Sequence, residues 1–197
     1  MLTNVNFQGA NLSAAKLSGA DMGLVNLSGA NVKGASLIRV FLVGGNLNGA
    51  DFSEANLEGA RLSRVTAIKA KFIAAVLNNL QAFDANFSNA DLSGAQLKKA
   101  KLDRINLRET ILKKANLSEA IMKDANLEGT ILREAIGFRT RFDNASIIDT
   151  DFFEADLRRA NFSLAEILDA NFSGALLGNA IWTDRNRCRS TSVGTCE

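Results

Sequence analysis

Cys188 and Cys196 are the only cysteines, eight residues apart in a polar C-terminal stretch. Thiols at that spacing can close a short disulfide loop, pinning the stretch over whatever precedes it and stabilising it by about 2–3 kcal/mol through loop entropy. They can equally remain two reduced thiols, the usual state in a cytosol. There is no His, so the chain lacks the commonest metal ligand and the commonest general base; two cysteines alone argue for neither a metal nor a cofactor. Carboxylates gather late in the sequence, at Asp143, Asp149, Asp151, Glu154, Asp156, Glu166 and Asp169, without the ligand spacing of a calcium loop. Lys98, Lys99, Lys101, Arg104, Arg108, Lys113, Lys114 and Lys123 form a basic middle. Outward positions there offer no aromatic beyond Phe83 to stack a base, so nucleic acid is not the expected partner. Pairs such as Lys114 with Glu134 predict a solvated, partly ion-paired surface instead.

The elements that must hold these side chains follow from a period of five. Of the 37 positions from Leu2 to Trp182 in steps of five, 34 are large and apolar. The exceptions are Ala67, Ala82 and Gly137. Two residues before each centre, 25 of 36 residues are Ala, and the residue just before the centre is commonly Asn or Asp. On a helix a step of five advances about 140° and smears the apolar set around the cylinder; on a strand an odd step alternates faces. The chain must therefore turn once per unit. If each side bends by about a right angle, four sides close a coil of 20 residues, and stacked coils bury the centres in one continuous core. Small residues then sit at the tight inner position, and Asn or Asp bonds its own backbone through the corner. Gly9, Gly19, Gly29, Gly49 and Gly59 mark one place in the repeat where the turn wants positive φ. The absence of Pro fits, because each backbone N–H is needed by a neighbouring coil.

Units such as Ala10-Asn11-Leu12-Ser13-Ala14 and Ala115-Asn116-Leu117-Ser118-Glu119 carry the A(D/N)LXX pattern that resembles the pentapeptide repeat proteins, here of cyanobacterial type. The resemblance implies an all-β fold, a right-handed quadrilateral β-helix of about nine coils over residues 1–182, followed by a short C-terminal cap over 183–197. At the usual strand spacing the rod would be about 43 Å long. The tail spacing W-x-D-x3-C-x3-S-x-G-x-C, carried by Trp182, Asp184, Cys188, Ser192, Gly194 and Cys196, is similar to the tails of cyanobacterial members, exported ones included. That implies a Cys188–Cys196 bridge and an oxidising compartment, periplasm or thylakoid lumen, in preference to the cytoplasm.

Residues 20 apart should stack, which predicts Phe52 on Phe72, Phe152 on Phe172, and a column Phe142, Phe162, Trp182. Asn6, Asn26, Asn46, Asn86, Asn106 and Asn126 share a column broken by Thr66, and their amides are expected to form a ladder. Each small centre is followed by a large apolar residue; Ile68, Phe83 and Phe138 are expected to lean inward and fill the space. A core so filled leaves no room for a catalytic cavity, so the expected function is a non-enzymatic rod that binds a protein. Its candidate surface is Ile148, Phe153, Leu164 and Leu168 near one end and Phe41 with Val43 near the other, Leu24 alongside. The repeat begins at Leu2 without a cap, so either a leader precedes it or the first coil meets another copy. No apolar run reaches membrane-spanning length. The alternative comes from the resemblance: quinolone-resistance members look like B-DNA and bind DNA gyrase. Such mimicry needs a markedly negative rod, whereas this chain has a formal charge of +2.

Overall fold

The computed structural model describes residues 2–197; Met1 lies outside the described residues. Nearly every five-residue unit folds as a turn. The carbonyl of the apolar centre accepts a hydrogen bond from the N–H three residues on, as Phe7 does from Ala10 and Leu97 from Ala100, both at 3.0 Å. The third turn residue has φ between 51° and 70° at all 36 such places from Asn4 to Asn179, the type II requirement. Ten of the 36 are Gly; the other 26 are L-residues, most of them charged, that the surrounding bonds hold in a conformation they rarely adopt. The Asn or Asp before the centre supplies one such bond, its Oδ1 accepting the N–H two residues on, as Asn6 does from Gln8 (3.0 Å) and Asp51 from Ser53 (2.9 Å). The strained residue supplies another, its N–H donating to the next coil, as Lys99 does to Ser118 O at 2.9 Å.

Coils stack through four parallel ladders joining residues 20 apart, from Asn6 with Asn26 to Asn161 with Ile181. The molecule is a β-helix type solenoid without a helix among the described residues. In one ladder the pairing widens into two short strands, β1 (Ser146–Ile148) and β2 (Glu166–Leu168), parallel with Ile148 opposite Leu168.

Centres of the first coil, Leu2, Phe7, Leu12 and Leu17, are half-buried, and those from Met22 onward are buried almost throughout. The predicted aromatic columns form: Phe52 stacks on Phe72 at 5.0 Å, Phe152 on Phe172 at 4.9 Å, and Phe162 lies 5.0 Å from Phe142 and 5.4 Å from Trp182. Buried Thr110, Thr130 and Thr150, one above another, each donate from Oγ1 to a centre carbonyl of the coil before: Phe87 O, Leu107 O and Leu127 O, at 2.8–2.9 Å. Thr140 does the same to Leu117 O at 2.7 Å.

Two expectations need correction. Ile68, Phe83 and Phe138 stay half-buried outside the core cluster, because the residue after a centre already belongs to the turn and points outward; the turn pattern runs through all three places unbroken. At Gly137 the space is taken by its neighbours: an added Cβ would meet Leu157 Cδ2 at 2.9 Å and Thr140 Oγ1 at 3.5 Å. The Asn column does not form an amide ladder. Asn26, Asn46, Asn86, Asn106 and Asn126 spend Oδ1 on their own corners, and an amide-to-amide bond spans coils in the neighbouring column instead, from Asn31 to Asn11 at 3.2 Å.

After Trp182 the tail doubles back antiparallel along the last coil, pairing Ile181 with Arg187 and Leu176 with Val193. Cys188 N–H donates to Ala180 O at 2.8 Å, and the buried Cys188 is bonded to Cys196 with Cα atoms 4.8 Å apart. The tail thus covers two sides of the last coil, and on the other two Ile167 is only half-buried.

Candidate interaction surfaces

The interior offers little space for chemistry. Its void measures about 10 Å³ and is lined wholly by apolar side chains, among them Phe87, Leu92, Leu107 and Leu112, in the coils at and after Ala82. No group of three or more metal-ligating side chains occurs among the described residues. Attention therefore moves outside, where the second and third residues of each turn project.

Five of the six predicted surface residues form two separate groups, and Phe153 stands apart. Near the start, Phe41 is exposed and Val43 half-buried on one side of the rod, next to Leu24, which lies across Gly44. The Arg61 guanidinium covers the Phe41 ring at 4.9 Å, and with Arg39 and Gln81 they border a surface groove of about 430 Å³ over Gly19 and Gly59. Near the end, Leu164 and Leu168 are exposed and Ile148 stands half-buried in register with Leu168. Phe153 is around the corner on the next side, beneath the Arg133 guanidinium at 5.7 Å, so it does not join them. Sequence reading missed a second groove, about 370 Å³, bounded by Phe138, Arg158, Arg159, Gly178, Asn179 and Ser190. Its walls come from residues 20 and 40 apart plus the returning tail, and the unmatched Phe138 was its one visible signal.

Part of the surface charge is paired across coils. Arg104 clasps Asp84, Arg108 reaches Glu128 at 2.7 Å, Lys114 holds Glu134 at 3.2 Å, and Arg133 binds Asp151. The Arg104 guanidinium holds the Asp84 carboxyl below its ordinary range. Arg158 does the same to Asp156, against the upward pull of partial burial. Exposed pairs of this kind each contribute little to stability.

The family model for pentapeptide repeats matches in 8 copies over residues 6–44, 33–66, 46–79, 68–108, 100–136 and 140–179. The chain is a pentapeptide repeat protein. Among solved structures, this pentapeptide repeat rod is similar to HetL, a pentapeptide repeat protein involved in heterocyst differentiation regulation from the cyanobacterium Nostoc sp. strain PCC 7120. The two are 27% identical with a TM-score of 0.51, covering 93% of this chain and 92% of HetL. It is also similar to trypsin-treated QnrB1, a plasmid-mediated fluoroquinolone resistance protein, at 16% identity and a TM-score of 0.50 over 86% of this chain and 84% of that one. A pentapeptide repeat protein from the Arabidopsis thaliana thylakoid lumen matches at 22% identity and a TM-score of 0.31, over 72% and 71% of the two chains. No curated protein sequence matches this pentapeptide repeat protein.

Proposed function

We propose that the chain is a rigid, non-enzymatic rod, a right-handed quadrilateral stack of about nine coils, that binds another protein through outward side chains set on a regular grid. The observation that carries this reading is the filled interior: a void of about 10 Å³ is far below the 300 Å³ or more of a substrate pocket. Recognition is therefore left to the exterior, where Leu24, Leu164 and Leu168 are 61%, 56% and 52% exposed.

A photo-crosslinking residue in place of Leu168, used in the host cell, tests this directly. One discrete protein adduct is expected, absent when the same residue replaces the exposed Ser13 on an adjoining side. Equal labelling at both positions, or none at either, would remove the patch from consideration. A small molecule turned over between coils would overturn the non-enzymatic reading. Gyrase modulation by DNA mimicry draws less support, because Asp84, Glu128, Glu134 and Asp151 are matched by cations rather than forming a continuous anionic surface. A supercoiling assay is expected to show no inhibition, and inhibition would put that reading first.

A further inference from the structure

Two opposite sides of the rod, at the same height, are complementary. On one, Ile148 and Leu168 stand in register on β1 and β2, with Leu164 on the adjoining corner. Asp149, Glu166 and Asp169 surround them, and none of these carboxylates has a cation within ion-pairing reach among the described residues. Two ladders away, Phe138 is covered by the guanidiniums of Arg139 at 5.2 Å and Arg159 at 5.9 Å, neither paired with a carboxylate among the described residues. Beside them lies the groove of about 370 Å³, one wall of which is the returning tail, whose Ser190 O covers the buried Gly178 so closely that any Cβ there would stand 2.5 Å from it. One side therefore presents apolar residues among unpaired anions, and the other Phe138 between two unpaired cations at the edge of a hollow whose remaining cation, Arg158, is held by Asp156.

Both clusters fall within the same few coils, since the first runs from Ile148 to Asp169 and the second from Phe138 to Asn179. An identical rod laid alongside in the same orientation turns the side that carries Leu168, Asp149 and Asp169 toward the side that carries the hollow, Arg139 and Arg159, at the same height. The geometry points to side-by-side association of identical rods through these two sides. Because the contact joins opposite sides, it is heterologous and does not close, so a row of rods grows from either flank. The inference rests on the reading of the rod as an interaction module and names a second copy as the occupant of its acidic side.

Sedimentation velocity of the purified chain over rising protein concentration tests it. At about 50 mM salt the mass should climb past that of a dimer, and about 500 mM salt should weaken association at least tenfold as the Debye length shrinks. Arg139→Glu with Arg159→Glu, and separately Asp149→Lys with Asp169→Lys, should each leave monomers. All four positions are outward turn residues, so circular dichroism should confirm an unchanged fold. An equimolar mixture of the two variants should associate again, because each restores the charge contrast the other lost. A wild type that stays monomeric at low salt overturns the proposal, as does association that neither reversal weakens, since the contact then lies elsewhere. A monomeric wild type whose position 168 still crosslinks to a different protein defeats this proposal alone; loss of both defeats the interaction module as well.

Discussion

Up to Gly59, seven of the twelve strained turn residues are Gly; from Arg64 onward only three of 24 are. The backbone is the same in both regions, so the architecture does not need glycine at these corners; it needs enough bonds to hold whatever stands there. An L-residue in the left-handed region costs about 1–2 kcal/mol, so the later region starts with the larger strain. It is also the region with the buried Thr bonds, the longer aromatic stack, all but one of the cross-coil ion pairs and the disulfide-bonded tail. In return those corners project charge at regular intervals, which the glycine corners cannot do.

If the aromatic stack offsets the later strain, Phe152→Ala should be the costliest change, about 3–5 kcal/mol by urea unfolding. Leu27→Ala, equally buried in the glycine-rich region, should cost less, about 2–3 kcal/mol. The reverse order would break the comparison. Next comes the cap. Replacing Cys188 by Ser should lower stability by about 2–3 kcal/mol, with a matching loss when the wild type is unfolded under reductant. Hydrogen exchange should rise first in the last coil, and uniform loosening along the rod would argue that the cap is not a local clamp.

Smaller effects sharpen the same contrast. Thr130→Val keeps the shape and removes the Oγ1 bond to Leu107 O, so about 1 kcal/mol should be lost in the same unfolding measurement. Gly29→Ala has nothing within 4 Å to collide with, so its cost of about 1 kcal/mol would report backbone strain alone. Lys69→Gly, at the equivalent place two coils on, should be neutral or stabilising by up to about 0.5 kcal/mol. The last expectation concerns acid. The Asp84 and Asp156 carboxyls have folded pKa values below their unfolded ones, so the stability they contribute is present above about pH 4 and lost as pH falls further. The urea midpoint should stay level from neutral pH to about 5 and then drop, less steeply in Asp156→Asn.

Period, coil length, aromatic columns and corner bonds of Asn and Asp were legible because each is a rule about residues 2, 5 or 20 apart. The strain at Arg64 or Lys69 was not, since nothing in those side chains announces positive φ; glycine at equivalent places was the only hint. Ile68, Phe83 and Phe138 misled because an apolar residue beside a small centre reads as compensation, whereas its place in the turn directs it outward. Leu164 and Leu168 were found because leucine is out of character at an outward position. The hollow beside Phe138 escaped because one wall is the tail, whose path back over Gly178 no repeat rule describes.

The ladders have a mechanical corollary. Every inter-coil bond runs from one coil to the next along the rod, so tension between the termini loads the coils in series, and the weakest exposed coil gives way while the others hold. Such a rod resists compression and bending through its filled core, yet under pulling it should pay out chain in equal steps, about 65 Å for each 20-residue coil peeled. At the C-terminal end the Cys188–Cys196 bond locks the loop it closes against extension, so that stretch pays out no length.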